Sequence, residues 1–187
     1  MEKIIREKFL SWDENIEDPK LSELKNKILI QRFESLLKCS ENAKVIENYN
    51  NYTKDKNIVY GLNILSFGLE KKLEIFLLNE SEILSKVYFD HINGGRVGLV
   101  HGGCLFFVLL LNVNIFIKEI LKLSTQEYQL LKIKTQYKKK VPVNNYILIR
   151  VYISNSFEIS AEMLDSENQI CTKIICNYEI LFKKAKF

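Results

Sequence analysis

The residues best suited to contact a ligand are concentrated in one stretch of the 187-residue sequence. Only seven glycines are present, and five of them lie between Asn93 and Cys104, next to both histidines, His91 and His101. Because glycine lacks a Cβ atom, it lets a ligand approach the backbone closely and lets the chain turn sharply. Two explanations are open: a backbone site for a ligand, or a tight turn into a packed helix. The five glycines are Gly94, Gly95, Gly98, Gly102 and Gly103.

The glycine stretch does not match a phosphate-binding loop. A P-loop requires Lys and then Ser or Thr directly after its last glycine, whereas Cys104 and Leu105 follow Gly103. The dinucleotide-binding pattern G-x-G-x-x-G is also missing from the sequence. The sequence therefore predicts neither of the two common nucleotide motifs.

Composition argues against several other classes of protein. The cysteines form no C-x-x-C pair, so we expect free thiols in a reducing compartment and neither a metal site nor a disulfide framework. Lys and Arg number 27 against 23 acidic residues, a net charge of +4 that is spread along the chain. No nucleic-acid motif accompanies this charge; only the Lys and Tyr residues of 48–57 argue for such binding, and we expect none. The four cysteines are Cys39, Cys104, Cys171 and Cys176.

The first residues leave the compartment open between mitochondrion and cytoplasm. Lys3, Arg6 and Lys8 are compatible with a targeting helix, but Glu2 and Glu7 interrupt it, and transit peptides avoid acids. We expect an intracellular protein.

One amphipathic helix is predicted near the N-terminus, from about Pro19 to Lys38. Asp18 and Pro19 provide a cap and a first-turn proline, and an apolar stripe follows, formed by Leu21, Leu24, Ile28, Phe33 and Leu36. Residues 39–57 show no sustained period and indicate a long loop or tether. We therefore expect an N-terminal extension over 1–57 and one compact domain over 58–187.

The remaining sequence predicts strands on both sides of one buried helix. Alternating apolar residues around Leu73–Leu77 and an apolar run at Leu84–Phe89 indicate two or three strands. The run Cys104–Ile117 is apolar nearly all round and, with 14 residues, shorter than the roughly 20 that span a bilayer. We expect no membrane span. Four strands follow, the last three joined by turns at Asn155-Ser156 and Ser166-Glu167-Asn168 as antiparallel neighbours.

A helix of this kind must be enclosed by other elements, and a curved antiparallel sheet wrapped around it does so. The sequence Gly98-Leu99-Val100-His101-Gly102-Gly103 resembles the G-x-V-H-G-G signature of the hotdog-fold acyl-CoA thioesterase superfamily. Leu131–Val143 is similar to the strand that ends in Tyr-Lys-x-Pro-Val-Pro in that family, and Phe157–Phe182 to its closing hairpin. The resemblance covers roughly Leu73 to Phe182 and implies an α+β hotdog fold with an N-terminal helical extension.

The resemblance also implies a division of catalytic roles. Gly102 and Gly103 would hold the oxyanion of a thioester, because N–H groups at a helix start are unpaired and lie at the positive end of the dipole. His101 would orient the carbonyl or the loop; the alternative is a hydrogen-bonded structural histidine. The family carries an Asp or Glu nine residues after this histidine as general base or nucleophile, and that position is Leu110.

Few residues offer a substitute for the missing acid. Asn112 lies about 200° around the helix from Leu110, whereas Asn114 lies one turn further on the same face and could hold a water. An amide, however, is not a useful base. Unless Asp90, Asp165 or a partner subunit supplies a carboxylate, we expect thioesterase activity to be impaired or absent.

Lys138, Lys139 and Lys140 form the only basic triplet and are candidates for the phosphates of coenzyme A, which would enter as part of the substrate, with no other cofactor. The alternative is a solvated loop. Two functions follow: an acyl-CoA thioesterase or acyl-CoA binder that forms a homodimer or higher oligomer through its sheet edges, or a catalytically silent hotdog module. The silent module would be a structural subunit or scaffold of a larger assembly, mitochondrial or cytoplasmic, and would dock through the N-terminal helix.

Overall fold

A computed structural model describes residues 18–40, 43–46, 73–95, 98–124, 126–156 and 158–181. These residues form a curved seven-stranded antiparallel sheet with a helix on each face. The strands lie in the order β1-β2-β3-β5-β6-β7-β4. In chain order the elements are α1 (Pro19–Lys38), β1 (Lys44–Val45), β2 (Leu73–Asn79), β3 (Glu82–Phe89), a 3-10 turn (His91–Asn93), α2 (Gly102–Glu119), β4 (Tyr128–Tyr137), β5 (Asn145–Asn155), β6 (Glu158–Leu164) and β7 (Ile170–Ile180).

The predicted central helix is α2, and the concave face of the sheet encloses it. Most of its residues are buried, including the polar pair Asn112 and Asn114. Asn112 accepts a hydrogen bond from the Ser85 hydroxyl of β3 and donates one to the Val108 carbonyl at 2.8 Å. Buried polar groups that are paired in this way specify one register of helix against sheet. The expected α+β hotdog arrangement is confirmed.

The strands after α2 follow the predicted antiparallel order. β5 pairs with β6, and β6 with β7, on either side of the two predicted turns. β4 then pairs with β7 and forms one edge of the sheet, while β1 forms the other. By length and composition α2 is the one described helix that could cross a bilayer, but its burial is that of a core helix.

Helix α1 packs on the opposite, convex face of the sheet. Asp18 caps it by accepting a hydrogen bond from the Lys20 N–H at 3.0 Å. Leu29 and Phe33 are buried against the outward-facing leucines of β2, β3, β5 and β6. The helix is therefore confirmed over the predicted range, and it belongs to the packed body of the protein.

The buried face of α1 is not the stripe that the sequence indicated. Of the five stripe residues only Phe33 is buried, while the four aliphatic ones are exposed: Leu21, Leu24, Ile28 and Leu36. The correction has a simple cause, because Ser22, Leu29 and Phe33 share a second face, and Ser22 donates a hydrogen bond to the Asn144 carbonyl beside β5. A period of 3.6 marks apolar faces but does not say which face meets the sheet.

The predicted loop over 39–57 lies only partly within the described residues. Lys44–Val45 forms the two-residue strand β1 on β2, which the sequence did not predict. The boundary at residue 58 lies outside the described residues and stays a prediction.

Candidate functional site

The start of α2 is built around His101, which occupies the N-cap position. Its Nδ1 accepts a hydrogen bond from the Gly103 N–H at 3.0 Å. Its own backbone N–H donates to the Asn93 carbonyl at 2.8 Å, so the 3-10 turn ahead of it fixes its position. A neutral ring that accepts at Nδ1 carries its proton on Nε2. Since the side chain is exposed, this Nε2–H is a donor that a substrate carbonyl could reach.

The peptide between Gly102 and Gly103 is held at both ends. The Tyr137 hydroxyl at the end of β4 donates to the Gly102 carbonyl at 3.0 Å, and His101 takes the Gly103 N–H. The Gly103 N–H therefore already has a hydrogen-bond acceptor within the protein. The Gly102 N–H is one of the first-turn donors that have no acceptor inside a helix, and it is the amide best placed to meet an oxyanion.

Gly95 makes room for His101. A Cβ atom added at Gly95 would lie 2.9 Å from His101 Cδ2 and 3.0 Å from its Cα. One contact is with backbone, so the clash cannot be relieved by rotating a side chain. A Cβ at Gly102 would meet the Tyr137 ring at 3.6 Å, an ordinary contact distance. At Gly95 the glycine thus serves close packing around the histidine.

These contacts give a prediction with a matched control. Gly95→Ala should lower the free energy of unfolding by about 1–3 kcal/mol, since it crowds the backbone of His101. Gly102→Ala places the same methyl group in ordinary contact and should change it by less than about 0.5 kcal/mol. Urea unfolding of both variants measures the difference. Equal effects at the two glycines would contradict the proposed packing role of Gly95.

Leu110 and Asn114 lie further along α2, on the face of the helix that begins at Gly103. Leu110 stands about 12 Å along the helix from Gly102, is 9% exposed and carries no group that can accept a proton. Asn114 is 5% exposed, and among the described residues its Nδ2 has no acceptor. This face therefore offers a buried amide donor and no base.

Asp90 and Asp165, the two acids considered as substitutes, already accept hydrogen bonds from backbone N–H groups in turns. Asp90 accepts the Ile92 N–H at 2.9 Å and so caps the 3-10 turn. Asp165 accepts the N–H groups of Glu167 and Gln169 in the β6–β7 turn and forms an ion pair with Lys139.

The lysine triplet is divided by its surroundings. Asp165 raises the pKa of the Lys139 ammonium, mainly through the hydrogen bond between them and also through its negative charge. Lys138 is exposed. Lys140 lines a cleft of about 80 Å³ together with Lys139 and Lys25. Sequence reasoning missed Lys25 because it lies on α1, and only the packing of α1 on the sheet brings it to this cleft.

The buried thiols are not candidates for a nucleophile, although Cys171 lines the cleft of the lysines. Cys104, Cys171 and Cys176 are buried and Cys39 is exposed, all four as free thiols. Burial raises the pKa of Cys104 to about 12, so it is a neutral side chain at the start of α2. A neutral, enclosed thiol is not a nucleophile.

The fold is that of the hotdog thioesterases. Zebrafish thioesterase superfamily member 2 superposes with a TM-score of 0.56 over 74% of this chain and 99% of its own, at 10% identity. A hypothetical thioesterase protein from Streptococcus pneumoniae, in a crystal structure with coenzyme A, gives a TM-score of 0.52 over 63% of this chain and 89% of its own, at 15% identity. Thioesterase HI1161 from Haemophilus influenzae gives 0.50 over 78% and 97%, at 18% identity.

These likenesses establish the fold. No protein-family model matches the sequence, and no curated protein matches it either.

Proposed function

We propose that this protein binds acyl-CoA thioesters at the start of α2 and hydrolyses them poorly or not at all. One observation carries the proposal: His101 is fixed at the N-cap of a buried helix, with the Gly102 N–H beside it and a leucine, Leu110, at the position where the resemblance implies an acid. The arrangement polarises a carbonyl oxygen but supplies nothing to activate water.

Each polar group of the site would have its own role in binding. The Gly102 N–H and the His101 Nε2–H would donate to the thioester oxygen, and Tyr137 keeps the Gly102 peptide in place. The unpartnered Nδ2 of Asn114 is costly to leave buried, by about 1–3 kcal/mol. A water or a substrate oxygen that reaches it would offset that cost.

The phosphates of coenzyme A would lie at the cleft that Lys25 and Lys140 line. Three lysines and two acids, Asp165 and Glu167, line this cleft, and Asp165 forms an ion pair with Lys139. A phosphate there would meet Lys25 of α1 and Lys140 of the loop after β4. Lys138 and Lys139 would contribute at longer range.

Thermal unfolding with coenzyme A and with acyl-CoA tests the binding. We expect the midpoint to rise with ligand concentration, because a ligand that binds only the folded state stabilises it. For Lys25→Glu/Lys140→Glu, about tenfold more ligand should be needed to give the same rise in the midpoint. The matched control is Lys20→Glu/Lys27→Glu, which makes the same charge change on the outer face of α1. A midpoint that no acyl-CoA moves would contradict the proposal.

Self-association through β4 is the second part of the proposal. β4 is a ten-residue strand at the edge of the sheet, and Leu131 and Tyr137 on it are 59% and 56% exposed. A long exposed edge with apolar side chains is a template for pairing with another copy. Light scattering should give at least twice the chain mass of 22.0 kDa. A wild-type protein with the mass of a monomer, and a Leu131→Lys variant with the same mass, would contradict self-association through β4.

A specific observation also favours the silent module. Leu110 is packed as a core residue on a face of α2 that has no acid, which is consistent with a structural, non-catalytic subunit. Failure of every acyl-CoA to bind, together with a stable oligomer, would support this second function.

A further inference from the structure

We propose that the outer face of α1 docks on an anionic lipid membrane surface. The surface, called here the α1 stripe, consists of Leu21, Leu24 and Ile28, which are 44%, 54% and 43% exposed. Their spacing of i, i+3 and i+7 places them side by side on one face of the helix. Three neighbouring aliphatic side chains on an outward helix face form a contiguous patch, which isolated surface residues do not.

The orientation of the stripe is fixed by the packing beneath it. Leu29 and Phe33 are buried on the sheet, and Asn26 bonds the Tyr146 N–H at 2.7 Å and the Asn144 carbonyl at 3.0 Å. The helix therefore cannot roll to bury the stripe without losing these contacts. A 20-residue helix held this way presents a straight edge about 30 Å long.

The charges around the stripe identify the partner. Lys20, Lys27 and Lys38 are exposed along one flank, and Arg32 lies on the other flank, where it also bonds Asn168. The carboxylates of the helix, Glu23 and Glu34, lie beyond the lysines, more than about 100° from the centre of the stripe. Between the flanks α1 carries no acid, so the face as a whole is apolar and cationic.

This pattern fits a lipid surface better than a protein. An anionic headgroup layer supplies negative charge on both flanks at once, while three short aliphatic side chains enter the boundary with the acyl chains. Lysine stems can lie along the apolar surface and keep their ammonium groups at the headgroups. A protein partner would need acids on both sides of an apolar groove, a far narrower requirement.

Cosedimentation of the full chain with vesicles tests the proposal. We expect binding to phosphatidylcholine vesicles that contain phosphatidylserine and none to phosphatidylcholine alone, with binding falling as salt rises. Leu24→Gln/Ile28→Gln should weaken binding at least about tenfold, because it removes the apolar contact. Leu181→Gln, at another exposed leucine, should leave it unchanged. Lys20→Glu/Lys27→Glu should also weaken it at least about tenfold, whereas Lys122→Glu/Lys132→Glu, with the same change in net charge, should not.

Several results would overturn the proposal. They are failure to bind the phosphatidylserine vesicles, equal binding to both vesicle types, and loss of binding in the two control variants to the same degree. A lower mass in solution for Leu24→Gln/Ile28→Gln would instead show that the stripe lies between copies of the chain. All of these readouts are independent of acyl-CoA binding, so the two proposals fail separately.

Discussion

Replacing Leu110 with aspartate is expected to raise kcat/KM for acyl-CoA hydrolysis by about 10²-fold or more over the wild type. The reason is that, in the proposed function, the wild-type site holds the carbonyl but has no group to accept a proton from water. Leu110 lies on the face of α2 that begins at Gly103, and an aspartate there would supply the base that this face lacks. Steady-state assays with short, medium and long acyl-CoAs measure the gain.

Leu110→Asn is the matched control for this variant. It has nearly the shape of aspartate and cannot act as a base, so it should show no gain. Because a buried carboxylate is destabilising, folding is checked by circular dichroism. If Leu110→Asp does not fold, Asn114→Asp, one turn further along the same face, takes its place.

Two outcomes would overturn this account of catalysis. One is a folded Leu110→Asp protein without activity. The other is ordinary turnover by the wild type that His101→Ala abolishes, since a base would then be present elsewhere.

Removing Glu162 is expected to cost about 2–3 kcal/mol of the free energy of unfolding. Glu162 lies on the convex face of the sheet, 9% exposed, and accepts hydrogen bonds from Lys173 at 2.8 Å and from the Tyr152 hydroxyl at 2.9 Å. Burial alone would lower the pKa of the Lys173 ammonium, but its bond to Glu162 and the charge of Glu162 raise it overall. Glu162→Ala leaves that cation half-buried with its main partner gone.

Urea unfolding at neutral pH measures the loss. Glu167→Ala is the control, because Glu167 is exposed and lies 3.7 Å from Lys139, and its loss should cost less than about 0.5 kcal/mol. Glu162→Leu/Lys173→Leu should recover much of the stability, since no unpaired charge remains. Equal losses for Glu162→Ala and Glu167→Ala would show that the buried pair contributes nothing special.

The predicted and observed site differ in ways that have physical causes. The sequence placed the start of a buried helix at His101, because glycines and a capping residue ahead of an apolar run are local signals, and His101 does cap α2. That a ligand binds there stays a prediction. It assigned both amides of the Gly102-Gly103 pair to the oxyanion, whereas the Gly103 N–H donates to His101. A side chain that bonds a backbone two residues away depends on a rotamer, which spacing does not give.

The contributions of Tyr137, Gly95 and Lys25 were absent from the predicted site for a related reason. Tyr137 reaches Gly102 across 35 residues. Gly95 is distinguished from its neighbouring glycines only by the atoms of His101 next to it. The useful signal in the sequence was the position of Tyr137 directly before the lysine triplet, which placed it at a strand end.

The sequence by itself determined the element order, the enclosed helix and the limits of α1, because hydrophobic period, caps and turn residues act over a few neighbouring positions. The identity of residue 110 as leucine was equally readable, since it needs only a count along the sequence. The tertiary structure alone decided which face of α1 meets the sheet, that Asp165 pairs with Lys139 of the lysine triplet, and that the Gly103 N–H donates to His101. The first two features are contacts between segments that are distant in the chain, and the third depends on a side-chain rotamer. Which of these contacts form depends on how the segments pack together, and no local sequence pattern specifies that.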